Sequence, residues 1–155
     1  MKWRGSIMNI YFVCTGNTCR SPMAEAILLH KKLPQVEVKS AGVYALEGGE
    51  MSENAQAVLH EQNVFHEHRS TQINEADLQW ANLVLTMTRA HKEMIVRNYP
   101  QFADKVYTLK EYITPYTGLD VSDPFGGDIH VYRQTFNELS KLIEQFENRY
   151  REELM

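Results

Sequence analysis

Between residues 8 and 39 the chain passes from a short apolar run, through a loop-like stretch, into a helix-patterned run and out to an alternating one. That succession leaves few folds open. Met8 to Val13 is short, apolar and β-rich, as a fully buried strand is. Met23 to Lys32 puts Ala24, Ile27 and Leu28 on one helical face and stops before Pro34. Val36-Glu37-Val38-Lys39 alternates as a second strand does. A strand, a helix of this length and a second strand form a βαβ unit with a right-handed crossover, so the sheet is parallel. Two more β-rich runs, Leu83 to Met87 and Val106 to Leu109, bring the strands to four. Helices are expected from the Ser52 cap to His60, over Glu75 to Trp80 behind Asn74, and from the Thr88 cap to Tyr99. From about Ile129 a last helix repeats Tyr132, Phe136, Leu139, Ile143, Phe146 and Tyr150 on one face, a stripe that packs on the sheet. Glu111 to Gly127 reads as loop. The expected fold is α/β, a four-stranded parallel sheet of flavodoxin-like order with helices on both faces. Its ligand site belongs at the carboxyl ends of the strands.

A chain of 155 residues is one domain's worth. Residues 1–7 precede anything periodic and are expected to be an extension, with residues 8–155 forming a single domain. The net charge of -4 argues against nucleic acid as a partner. With 2 cysteines, no signal-peptide pattern and no apolar run near the length of a membrane span, a reducing, cytoplasmic setting is expected, away from membranes. The oligomeric state is open, with a monomer favoured. His66-Glu67-His68-Arg69 has a His-x-His spacing. No cysteine or third histidine lies nearby in sequence, so a solvated loop is the expectation there and no metal is assigned.

The stretch Cys14-Thr15-Gly16-Asn17-Thr18-Cys19-Arg20-Ser21-Pro22 leaves the first strand where the fold puts its ligand. Folded as a loop feeding a helix, it lets the N–H groups of positions 15 to 20 point inward, where the helix dipole also favours an anion. Cys14 would lie at the bottom of this cradle, its thiolate stabilised and its pKa drawn below the free value of about 8.5. The planar fork of Arg20 can hold two oxygens of a phosphoryl group. Gly16 admits positive φ, Asn17 tolerates the left-handed region, and Ser21-Pro22 reads as a helix cap followed by proline in the first turn. Phosphoryl transfer also needs a proton donor opposite the sulfur. Asp123, followed by Pro124, Phe125 and two glycines, is chosen over Asp120 and Asp128.

The run Val13-Cys14-Thr15-Gly16-Asn17-Thr18-Cys19-Arg20-Ser21-Pro22-Met23-Ala24-Glu25 resembles the active-site signature of the low-molecular-weight protein tyrosine phosphatases, and more closely their bacterial branch, which includes protein arginine phosphatases. The resemblance implies that Cys14 is the nucleophile, that Thr15 to Arg20 bind phosphate, and that Asp123 is the general acid. It also implies that the Ser40 hydroxyl fixes the Asn17 side chain, with Ser21 supporting the loop. The reaction it implies passes through a cysteinyl-phosphate on a phosphorylated protein substrate and uses no cofactor. Thr18 stands where many tyrosine-directed relatives carry a branched aliphatic residue, and Phe125 departs from the tyrosine common in that loop. Both select for phosphoarginine in this reading, with phosphotyrosine the alternative. Cys19 either forms a reversible disulfide with Cys14 or is a small packed residue. An arsenate reductase would need further cysteines, and a P-loop nucleotide enzyme would need Gly-Lys-Ser/Thr before the helix. A non-catalytic phosphoprotein-binding module would need neither Cys14 nor Asp123.

Overall fold

The computed structural model describes residues 7–114 and 120–154. The expected extension, apart from residue 7, and the loop residues 115–119 lie outside the described residues. The strands are β1 (Met8–Cys14), β2 (Val36–Gly42), β3 (Leu83–Thr86) and β4 (Val106–Thr108). They form one parallel sheet in the order β2-β1-β3-β4. The helices are α1 (Arg20–His30), α2 (Glu53–Glu61), α3 (Glu75–Trp80), α4 (Arg89–Asn98), α5 (Leu109–Ile113) and α6 (Ile129–Leu154).

Strand periodicity divides the core. Met8, Ile10, Phe12 and Cys14 face a layer built from α1, α2 and α6, while Tyr11 and Val13 face Leu78 of α3, Ile95 of α4 and Phe102. The whole α6 stripe from Tyr132 to Tyr150 is buried in the first layer. From β1 the chain crosses to β2 on one side, and β3 lies on the other side of β1. The resulting crevice opens at the carboxyl end of β1, where an open α/β sheet binds its ligand. Cys14 is the last residue of that strand.

Three elements depart from expectation. Helix α1 begins at Arg20, three positions ahead of the predicted Met23, because the Met23 N–H already bonds the Cys19 carbonyl at 3.1 Å. Cys19 is therefore the cap residue, Ser21 lies inside the first turn, and Pro22 sits where a missing N–H costs nothing. The expected loop from Glu111 instead opens with a helix. Thr108 accepts from the Glu111 N–H at 3.0 Å while the Glu111 carboxylate accepts from the Thr108 N–H at 2.8 Å. This capping box turns Leu109 out of β4 and starts α5. A 3₁₀ segment, Pro100–Lys105, fills the link from α4 to β4 and buries Phe102.

Candidate active site

Asn17 is the post around which the loop is wound. It is fully buried with φ of 58°, in the left-handed region its side chain tolerates. Its Nδ2 donates to Ser21 Oγ and Ser40 Oγ, both at 2.9 Å, and its Oδ1 accepts from the Thr71 N–H at 2.9 Å. The Asn17 carbonyl accepts from His68 Nε2 at 2.7 Å. A side chain with every donor and acceptor satisfied in the core holds one conformation, since each lost bond would leave a buried polar atom unpaired. Of the two loop residues that could take a positive φ, Asn17 does and Gly16 does not. The glycine the loop requires is Gly42 at the end of β2. A Cβ there would stand 2.3 Å from the Thr15 carbonyl oxygen and 2.9 Å from the Asn17 nitrogen. Ser40 lies within β2, not after it.

Ser21, no longer a cap, spends its hydroxyl on the nucleophile candidate. Cys14 Sγ is 2.8 Å from Ser21 Oγ, and the same oxygen reaches the Ala41 carbonyl at 3.4 Å. The hydroxyl hydrogen can therefore serve a thiolate, or turn to Ala41 when the sulfur is a thiol. Burial pushes the Cys14 thiol up; hydrogen bonds from the Ser21 hydroxyl and the Ser21 and Asn17 N–H groups, with the Arg20 charge, pull against it without cancelling it. The expectation of a lowered thiol pKa is thus corrected in sign, because it counted donors and omitted the desolvation of a fully buried sulfur.

Arg20 is 5% exposed, and its Nη1 donates to the Val121 carbonyl at 3.1 Å. That anchor leaves the other side of the guanidinium directed to Asp123, whose Oδ2 is 3.6 Å from Nη2. Asp123 is more than half exposed, and its Oδ1 accepts from the Phe125 N–H at 3.0 Å. Asp120 and Asp128 are engaged elsewhere, Asp120 on the Arg89 N–H at 2.8 Å and Asp128 on the Val131 N–H at 3.1 Å. Cys14, Thr15, Gly16, Thr18, Cys19, Arg20, Asp123 and Phe125 line one cavity of about 240 Å³. Both cysteines are free thiols. Cys19 Sγ stands 3.2 Å from Tyr132 Oη and donates to Ser52 Oγ at 3.5 Å, so the first aromatic of the α6 stripe braces the loop as well as the core.

Two participants have no local mark in the sequence. Glu25, one turn beyond the loop on α1, accepts from Ser40 Oγ at 2.6 Å. Burial pushes its carboxyl up, but the nearby imidazoles of His66 and His68 and the hydrogen bond from Ser40 outweigh it and hold the pKa at about 2. The segment is a loop, as expected, with Glu67 and Arg69 exposed, but it turns His68 inward so that its side chain is nearly buried. His91, capped into α4 by Thr88, places Nε2 2.8 Å from Thr15 Oγ1. Burial, and then the nearby Arg20 charge, lower its pKa to about 4.

His91 gives a signed expectation. Its folded pKa lies below the unfolded value near 6.5, so the unfolded chain binds more protons between the two, and stability falls as pH drops through that window. Between pH 7 and 5 the loss would be about 2 kcal/mol unscreened, and on the order of 1 kcal/mol with solvent screening. Urea unfolding midpoints at the two pH values should show this loss in the native chain and a smaller one in His91→Gln.

The family of low molecular weight phosphotyrosine protein phosphatases matches residues 9–155. A protein-arginine-phosphatase of Geobacillus stearothermophilus is 53% identical over 136 residues, 88% of this chain and 91% of that protein. The structure of YwlE arginine phosphatase from the same organism superposes with a TM-score of 0.92 at 50% identity, covering 94% of each chain. Another YwlE structure, a cysteine-to-serine mutant with a phosphorylated active-site serine, gives a TM-score of 0.88 at 43% identity, covering 93% of this chain and 96% of that one. No helix among the described residues is long and apolar enough to cross a membrane. A cysteine and an arginine brought to one cavity by a loop wound on a buried asparagine, within a sheet these relatives share from end to end, place the chain in the low molecular weight phosphotyrosine protein phosphatase family, and it is a hydrolase.

Proposed function

We propose that the chain removes phosphoryl groups from arginine side chains of proteins by double displacement, with Cys14 as nucleophile, Asp123 as general acid and then base, and Arg20 as the phosphoryl clamp. The observation that carries this reading is that all three line a single cavity. In the first step Cys14 Sγ, as the thiolate, attacks phosphorus in line, the bond to the leaving nitrogen breaks, and protonated Asp123 delivers the proton that nitrogen needs. In the second step Asp123 takes a proton from water, which attacks the cysteinyl-phosphate and releases phosphate. Arg20 and the loop N–H groups of Thr15 to Cys19 hold the equatorial oxygens throughout, so the donors stand ready where charge is borne. The phosphorylated serine in the YwlE mutant supports a covalent intermediate at the position of Cys14. Tyr132 and Ser52, which hold Cys19, keep the loop's shape; a bond between Cys14 and Cys19 is the redox role retained for Cys19.

The names of the arginine phosphatases at 53% identity and TM-score 0.92 support phosphoarginine as the substrate. So does Thr18, which lines the same cavity as the exposed Phe125 and offers a hydroxyl where an aliphatic residue would offer only apolar surface. The decisive assay compares kcat/KM on a phosphoarginine protein and a phosphotyrosine peptide. The native chain should favour phosphoarginine, and Thr18→Ile should move the ratio toward phosphotyrosine by roughly tenfold or more, the scale set by small changes in pocket apolarity. An unchanged ratio removes Thr18 as the selector. A native preference for phosphotyrosine removes the arginine reading itself.

A further inference from the structure

Behind the phosphate loop, on the side away from the catalytic cavity, Glu25 of α1 meets His66 and His68 from the segment joining α2 to α3. One ligand atom from each lies within 4.8 Å of the others. Glu25 Oε1 is 3.5 Å from His66 Nε2 and 3.6 Å from His68 Nδ1. These separations are too long for N–H···O hydrogen bonds, which cluster at about 2.7–3.2 Å. They suit two ligands on one tetrahedral ion instead, since bonds of about 2.1 Å place their ends about 3.4 Å apart.

The protons point the same way. His68 donates its Nε2–H to the Asn17 carbonyl at 2.7 Å, which turns Nδ1 toward the carboxylate. The Nδ1 left facing the carboxylate is then an imidazole nitrogen of the kind that ligates a cation held between the two. His66 Nε2 is buried without a hydrogen-bond partner and faces the same oxygen. The outer contacts are those that orient metal ligands, namely a backbone carbonyl on the far nitrogen of His68 and the Ser40 hydroxyl on Glu25 at 2.6 Å. The neighbouring cations are already engaged, Lys39 with Asp77 at 3.0 Å and Arg69 with Glu50 at 3.4 Å. Two clefts give access from solvent, of about 310 Å³ and 690 Å³, each lined by both histidines.

We propose that Glu25, His66 and His68 form a binding site for one divalent cation of the zinc class, which fastens the phosphate loop from behind. Two imidazoles and one carboxylate select a borderline ion over magnesium or calcium, which prefer all-oxygen sets. The ion would tie α1 to the segment carrying His66, and through His68 and Ser40 both ends of that tie reach Asn17. The sequence expectation of no metal rested on the lack of a third nearby ligand; Glu25 supplies it from about 40 residues away in the chain.

The test titrates Zn²⁺ against a chromophoric chelator, using the native chain, His66→Gln, and a Cys14→Ser/Cys19→Ser variant that removes both thiols as rival ligands. One equivalent should bind the native and thiol-free chains. His66→Gln, with its folding checked by circular dichroism, should bind at least about tenfold more weakly. Saturating Zn²⁺ should raise Tm in the first two chains and leave it unchanged in the third. Equal binding by His66→Gln, or loss of binding in the thiol-free chain, overturns the site. Co²⁺ added to the native chain gives a reading that needs no variant. Tetrahedral ligand-field bands without sulfur charge transfer support the site, and a sulfur charge-transfer band or octahedral spectrum overturns it.

Discussion

Replacing Cys14 by serine is expected to lower phosphatase turnover by about 10⁴-fold or more, as removal of a covalent nucleophile does, while inorganic phosphate still binds. The two parts of this result come from different atoms. In the proposed mechanism, binding of the oxyanion rests on the loop N–H groups and on Arg20, whose position is set by its bond to Val121 and not by the sulfur. Attack rests on the sulfur alone. The Ser21 hydroxyl at 2.8 Å, two N–H groups and a guanidinium pull the thiol toward its anion and offset part of the burial that opposes it. A serine hydroxyl at the same buried place starts many pK units higher, and those donors do not close the gap. Kinetics on a phosphoarginine protein, with phosphate binding followed by calorimetry, separate the two parts. Turnover surviving at a tenth of the native rate would move the nucleophile elsewhere, and Cys19 is the one other thiol in the chain.

The residues that were legible in the sequence are those whose meaning is local. Met8 to Val13 reads as a buried strand because the run is short, β-rich and apolar or aromatic apart from Asn9, and the cysteine that follows it, the arginine six positions on and the proline in the following turn are one short segment. The α6 stripe is legible for the same reason, since a helix repeats its own face. Partners that meet only through the fold are not. His91 is 76 residues from Thr15, and a histidine in the first turn of an amphipathic helix has no sequence mark that separates it from a surface one. Gly42 looks like a turn glycine until the loop is seen to cross it. The Thr108–Glu111 capping box differs from these cases, because Thr-x-x-Glu is a local helix-start signal that the reading of Glu111 to Gly127 as loop passed over. The direction of the Cys14 shift was not legible, because a sequence displays the donors around a thiol but not how completely the fold shuts water away from it.

Asp123→Asn is expected to lower kcat on phosphoarginine by about 10²- to 10⁴-fold, the range for loss of a positioned general acid. The loss should be much smaller on an aryl phosphate with an acidic phenol. The substitution is nearly isosteric, and its amide oxygen can still accept from the Phe125 N–H at 3.0 Å, so the loop and the cavity keep their shape. What disappears is the proton and, in the ionised form, the charge facing Arg20 at 3.6 Å. The Arg20 contact alone has little weight, since the aspartate is more than half exposed and such pairs contribute weakly. The leaving group therefore decides the size of the effect. A departing guanidine nitrogen is strongly basic and leaves only with a proton, whereas an activated phenolate departs without one. Comparing the Asp123→Asn loss on the two substrates thus measures proton delivery and not merely damage to the site. Losses equal on both would assign Asp123 to binding or loop shape and would leave the donor to be found among other groups at the rim.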